Sequence, residues 1–177
     1  MKYVALLRGI NVGGKRKMEM GKLREIFERL GFDNVSTYIN SGNIIFESEE
    51  KSDEILKKVE VKLEKQYGEK VPTLIRRALD LKRIAEQIPA EWKNDDEQKT
   101  DVAYLFKEID SEKIIDELPI NKDFIEVRYT PGALFWNVKR ENYNKSHLNK
   151  IISHKLYQSM TVRNINTARF LGNLAES

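Results

Sequence analysis

Val35-Ser36-Thr37-Tyr38-Ile39-Asn40-Ser41-Gly42-Asn43-Ile44-Ile45-Phe46 holds two β-forming runs, Val35–Ile39 and Ile44–Phe46, around residue types that favour tight turns. That pattern is a hairpin, and its flanks organise the first half of the chain. Upstream, Leu23, Ile26, Phe27 and Leu30 recur at helical spacing from Met20 and stop at Gly31, where a C-terminal cap is expected. Before that helix, Lys2–Leu7 reads as a buried strand ending at the stretch Gly9–Gly14. Downstream, Ser52 is expected to cap a helix with Asp53 and Glu54 in its first turn. Its apolar stripe is Ile55, Leu56, Val59, Leu63 and Tyr67, and Gly68 closes it. Val71–Ile75 adds a strand, so residues 1–77 spell β-α-β-β-α-β, the ferredoxin-like order.

Residues 78–177 repeat that order less completely. A short helix around Leu81–Ile88 and an acidic connector, Asn94–Glu97, precede a strand at Val102–Phe106 and a helix opened by Ser111 and closed by Pro119. Phe124–Tyr129 and Leu134–Val138 flank Thr130-Pro131-Gly132, a type II turn signal. Leu148, Ile151, Ile152, Lys155 and Leu156 follow at helical spacing, and a last helix is expected over about Asn166–Leu174. The fold class expected is α+β: two ferredoxin-like subdomains with antiparallel sheets and a C-terminal helix.

Composition narrows the function. With 40% hydrophobic and 33% charged residues among 177, the chain can bury a core and contains nothing fibrous or disordered. A net charge of +3 is too slight to argue for a nucleic-acid or membrane partner, so any basic site must be local. Zero cysteines exclude disulfides, thiolate nucleophiles and cysteine-ligated metals, and suit the cytoplasm. The apolar run Tyr3–Leu7 is too short for a signal-peptide core or a membrane span.

Three segments, Leu7-Arg8-Gly9-Ile10-Asn11-Val12-Gly13-Gly14, Tyr38-Ile39-Asn40-Ser41-Gly42-Asn43 and Thr161-Val162-Arg163-Asn164-Ile165-Asn166-Thr167, carry a resemblance. Together they resemble the bacterial domain-of-unknown-function family sixteen ninety-seven over essentially the whole chain, as a single family domain. The resemblance implies two ferredoxin-like parts and no established activity, substrate or cofactor. The family pattern near the C-terminus is Arg-Asn-Trp-Asn-Thr; here Ile165 takes the Trp place, so no ring-dependent role is carried over.

In a split β-α-β unit the first two strands run parallel, so the loop after the first and the hairpin after the second emerge at one end of the sheet. This brings Arg8, Asn11, Gly13, Gly14 and Lys15–Lys17 toward Ser41, Gly42 and Asn43. Glycine-rich backbone can aim N–H groups at one point, and neighbouring cations then favour phosphate, sulfate or carboxylate. A small anionic ligand is therefore the partner expected, with Arg8, Asn11, Gly13, Gly14, Lys15, Ser41 and Asn43 as its contacts. The competing reading is an interaction module that docks this loop on an acidic protein or nucleic-acid backbone. The bland one is a mobile loop with a solvated charged face.

Other chemistry is excluded more firmly. Gly9–Lys15 fits G-x-x-x-x-G-K, but Arg16 stands where Ser or Thr should meet magnesium and Met18–Met20 delay the helix, so no triphosphatase site is expected. Tyr3 and Phe46 alone do not make the aromatic platform of RNA-recognition domains, which leaves only backbone binding open for nucleic acid. Arg163 and Asn164, at the expected start of the last helix, join the ligand-binding candidates, though Asn166 or Thr167 could simply cap that helix. His147 and His154, seven apart, would stand about 10 Å apart on one helix and cannot share a metal, so neither metal nor cofactor is expected. Ser41 is read as a turn residue before a nucleophile, and Trp92, Trp136, Phe124 and Phe135 as packing. Without a metal set or a nucleophile–base pair, any catalysis would rest on positioning and electrostatic stabilisation.

Overall fold

The computed structural model describes residues 1–176. The chain divides into two compact units, Met1–Asp80 and Leu81–Ser177. In the first, β1 (Lys2–Leu7), α1 (Met20–Arg29), β2 (Asp33–Tyr38), β3 (Asn43–Glu47), α2 (Ser52–Tyr67) and β4 (Thr73–Arg77) follow one another. The sheet is antiparallel with order β2-β3-β1-β4, the ferredoxin-like arrangement. Because β3 is antiparallel to both β1 and β2, those two strands point the same way.

Period-two alternation decides which side chains meet the helices. Tyr3 lies opposite Phe46, and Ala5 lies between Ile44 and Ile75. With Leu7 these residues share one core with Leu23, Ile26 and Phe27 of α1 and Ile55, Val59 and Leu63 of α2. Burying each such aliphatic or aromatic side chain stabilises by roughly 1.5–3 kcal/mol, so the apolar stripes hold the helices more than helix propensity does. Phe46 sits at the centre of a ring cluster, 4.7 Å from Phe32, 5.3 Å from Phe27 and 5.9 Å from Tyr3. Tyr3 and Phe46 are thus core residues, and neither can offer a face to a base.

The cap of α2 differs from expectation. Lys51 occupies the N-cap position and its N–H donates to the Glu54 carboxylate at 3.2 Å, half of a capping box, while Ser52 is the first helical residue. Gly68 ends the helix in the left-handed region, its N–H donating to the Glu64 carbonyl at 2.8 Å.

The division between the units falls inside α3 (Ala78–Glu86). The second unit holds β5 (Gln98–Leu105), β6 (Ile125–Thr130), β7 (Ala133–Lys139), β8 (Met160–Asn164) and α4 (Ile165–Asn173). Its sheet order, β6-β7-β5-β8, repeats that of the first unit, so this too is a ferredoxin-like unit. Gly132, at φ +92°, supplies the left-handed position of the Thr130-Pro131-Gly132 turn. Two differences from the sequence reading stand out. The expected helices over 111–119 and 148–156 are 3-10 segments, Glu112–Glu117, Leu148–Ser153 and Lys155–Ser159. Polar side chains set their starts: Ser111 accepts from the Lys113 N–H, Ser146 from Leu148 and His154 from Leu156. His154 itself is extended, so the two histidines do not lie on one helix. The second difference is β8, which takes up residues expected to begin the last helix.

Candidate functional site

β1 and β2 deliver the loop 8–19 and the turn 39–42 to the same end of the first sheet. Backbone pairing starts the juxtaposition: the Leu7 N–H donates to the Gly42 carbonyl and the Arg8 N–H to the Pro72 carbonyl, both at 2.9 Å. Gly42 is obligatory here. Its φ is +77°, and a Cβ would come within 2.7 Å of Ile10 Cδ1 and 2.9 Å of Leu7 Cβ.

Beyond Ile10 the loop folds into a miniature hairpin. The Asn11 N–H donates to the Arg16 carbonyl and the Lys15 N–H to the Val12 carbonyl, each at 3.1 Å. Gly13 and Gly14, at φ +58° and +74°, supply the paired positive φ of a type I′ turn. The G-x-x-x-x-G-K spacing is therefore a tight hairpin tip, and α1 begins only at Met20. Among the described residues no acceptor takes the N–H of Gly13 or Gly14.

Asn11 braces this tip against the turn. Its Nδ2 donates to the Met18 carbonyl at 2.9 Å and to the Asn40 carbonyl and Oδ1 at 3.1 and 3.0 Å, while its Oδ1 accepts the Met18 N–H at 2.8 Å. Asn11 also adopts φ +55°, which asparagine tolerates better than most residues. This corrects its expected role, because its amide is used inside the fold. Asn43 is corrected likewise. It is fully buried, donating to the Tyr38 carbonyl at 3.1 Å and to Ser41 Oγ at 2.9 Å, so it fastens the hairpin and cannot meet a ligand. Ser41, its partner, acts as a turn residue.

The charge run Lys15-Arg16-Lys17 is not uniform. Arg16 Nε donates to Glu69 at 3.0 Å and its Nη1 to the Arg8 carbonyl at 3.4 Å, which ties the central guanidinium down. Lys15 and Lys17 are exposed, with no carboxylate in ion-pair range among the described residues. Arg8, at the start of the loop, is half-buried. Between loop and turn lies an open hollow of about 490 Å³ lined by Asn11, Gly14, Lys17, Met18, Glu19 and Asn40. Glu19, the one carboxylate of that lining, is paired with Lys22 at 3.1 Å. Asn40 and Lys17 were not singled out from the sequence; Lys17 was visible there only as part of a charge run.

Arg163 and Asn164 belong to the second unit. Arg163 lies on β8, only 7% exposed, its Nη1 donating to Thr161 Oγ1 at 2.8 Å and to the Val162 carbonyl at 2.9 Å. Burial pulls its pKa down to about 10, which still leaves a cation at neutral pH. Asn164 is the N-cap of α4, accepting the Thr167 N–H at 3.0 Å. Capping is its role, in place of the expected cap at Asn166 or Thr167. Among the described residues no group of three or more His, Asp or Glu is placed to hold a metal ion, and no helix is long and apolar enough to cross a membrane.

The second unit repeats the backbone of this end with opposite chemistry. The Leu105 N–H donates to the Gly132 carbonyl at 2.9 Å and Phe106 to Ser159 at 3.0 Å, matching Leu7–Gly42 and Arg8–Pro72. There, however, the loop meets the hairpin through the Asp110 carboxylate, which accepts from Tyr129 Oη and the Gly132 N–H, both at 2.9 Å. A carboxylate at that position repels anions, whereas the first unit presents an amide and two lysines.

The molecule is thus an α+β protein of two ferredoxin-like units, one of which carries a braced, basic glycine loop. It belongs to the protein family of unknown function DUF1697, whose model matches residues 1–136. A solved structure of similar form is the conserved bacterial protein SP0830 from Streptococcus pneumoniae, 28% identical, covering 97% of each chain with a TM-score of 0.84. No curated protein matches.

Proposed function

We propose that the first unit binds a small anionic, phosphate-bearing ligand in the hollow between the loop 8–17 and the turn 40–43. One observation carries this reading: Lys15 and Lys17, exposed and unpaired, follow directly on two unclaimed glycine N–H groups, those of Gly13 and Gly14, on a loop braced by Asn11. Free N–H groups beside ammonium groups favour phosphate oxygens, and a fixed loop lowers the ordering entropy lost on binding. Lys17, Gly14 and Asn40 line the hollow and would make the contacts, with Lys15 adding charge from the tip. The absence of cysteine supports a cytoplasmic setting for this activity.

The exposure of both lysines favours a second reading, in which the tip docks on an acidic protein or nucleic-acid backbone. Salt separates the two, since multi-contact binding to a polyanion weakens steeply with ionic strength and a small anion in a hollow less so. Calorimetric titration with inorganic phosphate and sugar phosphates, on the wild type and on a Lys15→Ala/Lys17→Ala double variant, tests the proposal. Saturable binding by the wild type, weakened at least tenfold in the folded variant, is expected. Equal binding by both proteins, or none by either, would contradict it.

A further inference from the structure

Two apolar side chains adjoin the brace of the anion site, and folding alone does not account for them. Val12, at the edge of the type I′ turn, is 65% exposed, and Ile39, first residue of the neighbouring turn, is 52% exposed. They are the chain neighbours of Asn11 and Asn40, whose side chains are joined at 3.0 Å. Ile39 also adopts φ +49°. A β-branched residue in the left-handed region is a strained outlier, and glycine or asparagine would fit that backbone better. Strain held at an exposed position points toward function. Here the fold both strains a residue and leaves its apolar surface in water, on a turn tied through Asn40 and Asn11 to the loop that carries a second exposed β-branched residue and two unpaired lysines.

We infer that the ligand of this site is an amphiphilic anion: a phosphate or similar acidic group carried on an aliphatic body. The acidic group meets Lys15, Lys17 and the N–H groups of Gly13 and Gly14, and the aliphatic part covers Val12 and Ile39. The inference rests on the anion reading given above and adds the class of molecule. Val12 and Ile39 offer aliphatic area without an aromatic face, which suits an alkyl chain better than a nucleobase.

The test is calorimetric titration of the full chain with inorganic phosphate, ethyl phosphate, butyl phosphate and hexyl phosphate, below any micelle-forming concentration. Each added methylene is expected to tighten binding about two- to fourfold while chain and protein remain in contact. In Ile39→Asn and Val12→Ser the gain with chain length should disappear while affinity for inorganic phosphate is kept. Ile39→Asn should melt no lower than the wild type, so a loss there is not a folding defect. Sedimentation with vesicles containing an anionic lipid tells the two sources apart. Variant-sensitive pelleting identifies a lipid headgroup, and its absence beside tight hexyl phosphate binding identifies a free amphiphile. Phosphate affinity that does not change with chain length would overturn the inference and leave the anion site standing. Failure of every probe, inorganic phosphate included, would overturn both.

Discussion

The side chain of Asn11 donates to the carbonyl and the Oδ1 of Asn40, at 3.1 and 3.0 Å, and so joins the loop after β1 to the turn between β2 and β3. Sequence separates the two residues by 29 positions, yet they set the geometry of the candidate site. The same amide closes the loop on itself by exchanging hydrogen bonds with the Met18 backbone.

Asn11→Asp tests that brace. An aspartate keeps the acceptor for the Met18 N–H and tolerates φ +55°, but it cannot donate to Asn40 or to the Met18 carbonyl. A loss of about 1–3 kcal/mol in urea unfolding is expected, because the carboxylate faces acceptor oxygens. Unchanged stability would mean that water replaces the brace without loss.

The glycines of the site are expected to differ. Gly42→Ala should destabilise by about 2–4 kcal/mol, combining left-handed strain with overpacking against Ile10 and Leu7. Gly13→Ala, with nothing within 4 Å of its Cβ, should lose only the strain, about 1–2 kcal/mol. Equal losses in thermal or urea unfolding would contradict this assignment of Gly42 as a packing glycine.

How much of this was legible in the sequence follows from what each residue has to satisfy. The first unit was readable because its apolar residues face one core at the periods of helix and strand, and because Gly31 and Gly68 stand just past the helix ends. β8 was hidden because it inverts that rule. Thr161 and Arg163 are its buried polar side chains, and Val162 is only half-buried, so no period of two in hydrophobicity marks the strand. The three 3-10 segments looked helical because apolar spacings of three and four occur in both helix types. Their breaks depend on Ser146 and His154 capping backbone locally. At the site, the meeting of loop and turn followed from strand direction alone. The use of Asn11 and Asn43 inside the fold did not, because an asparagine in a turn looks the same whether it faces water or backbone. Nor does any sequence pattern foretell that Ile39 takes a left-handed conformation.

A pH dependence is expected at the entrance to β5. Asp95 Oδ1 accepts the N–H groups of Glu97 and Gln98 at 2.9 and 2.8 Å, and these bonds hold its carboxyl below the ordinary value of 3.8. A carboxyl lowered in the folded state contributes stability that is present above its unfolded pKa and is lost as pH falls through the folded one. The stability gap between wild type and Asp95→Ala should therefore be full at neutral pH and shrink below about pH 4, in parallel urea titrations. A gap independent of pH would show that the side chain acts there without its charge.

Phosphate binding at the loop after β1 is read residue by residue in an NMR titration of the ¹⁵N-labelled full chain with inorganic phosphate, following the backbone amides of Gly13, Gly14, Lys15 and Lys17. Saturable shifts are expected at those amides and at Asn40, with the matching turn of the second unit, Gly132 beside Asp110, unmoved. Shifts confined to other residues, or none at concentrations that saturate ordinary phosphate sites, would contradict binding there.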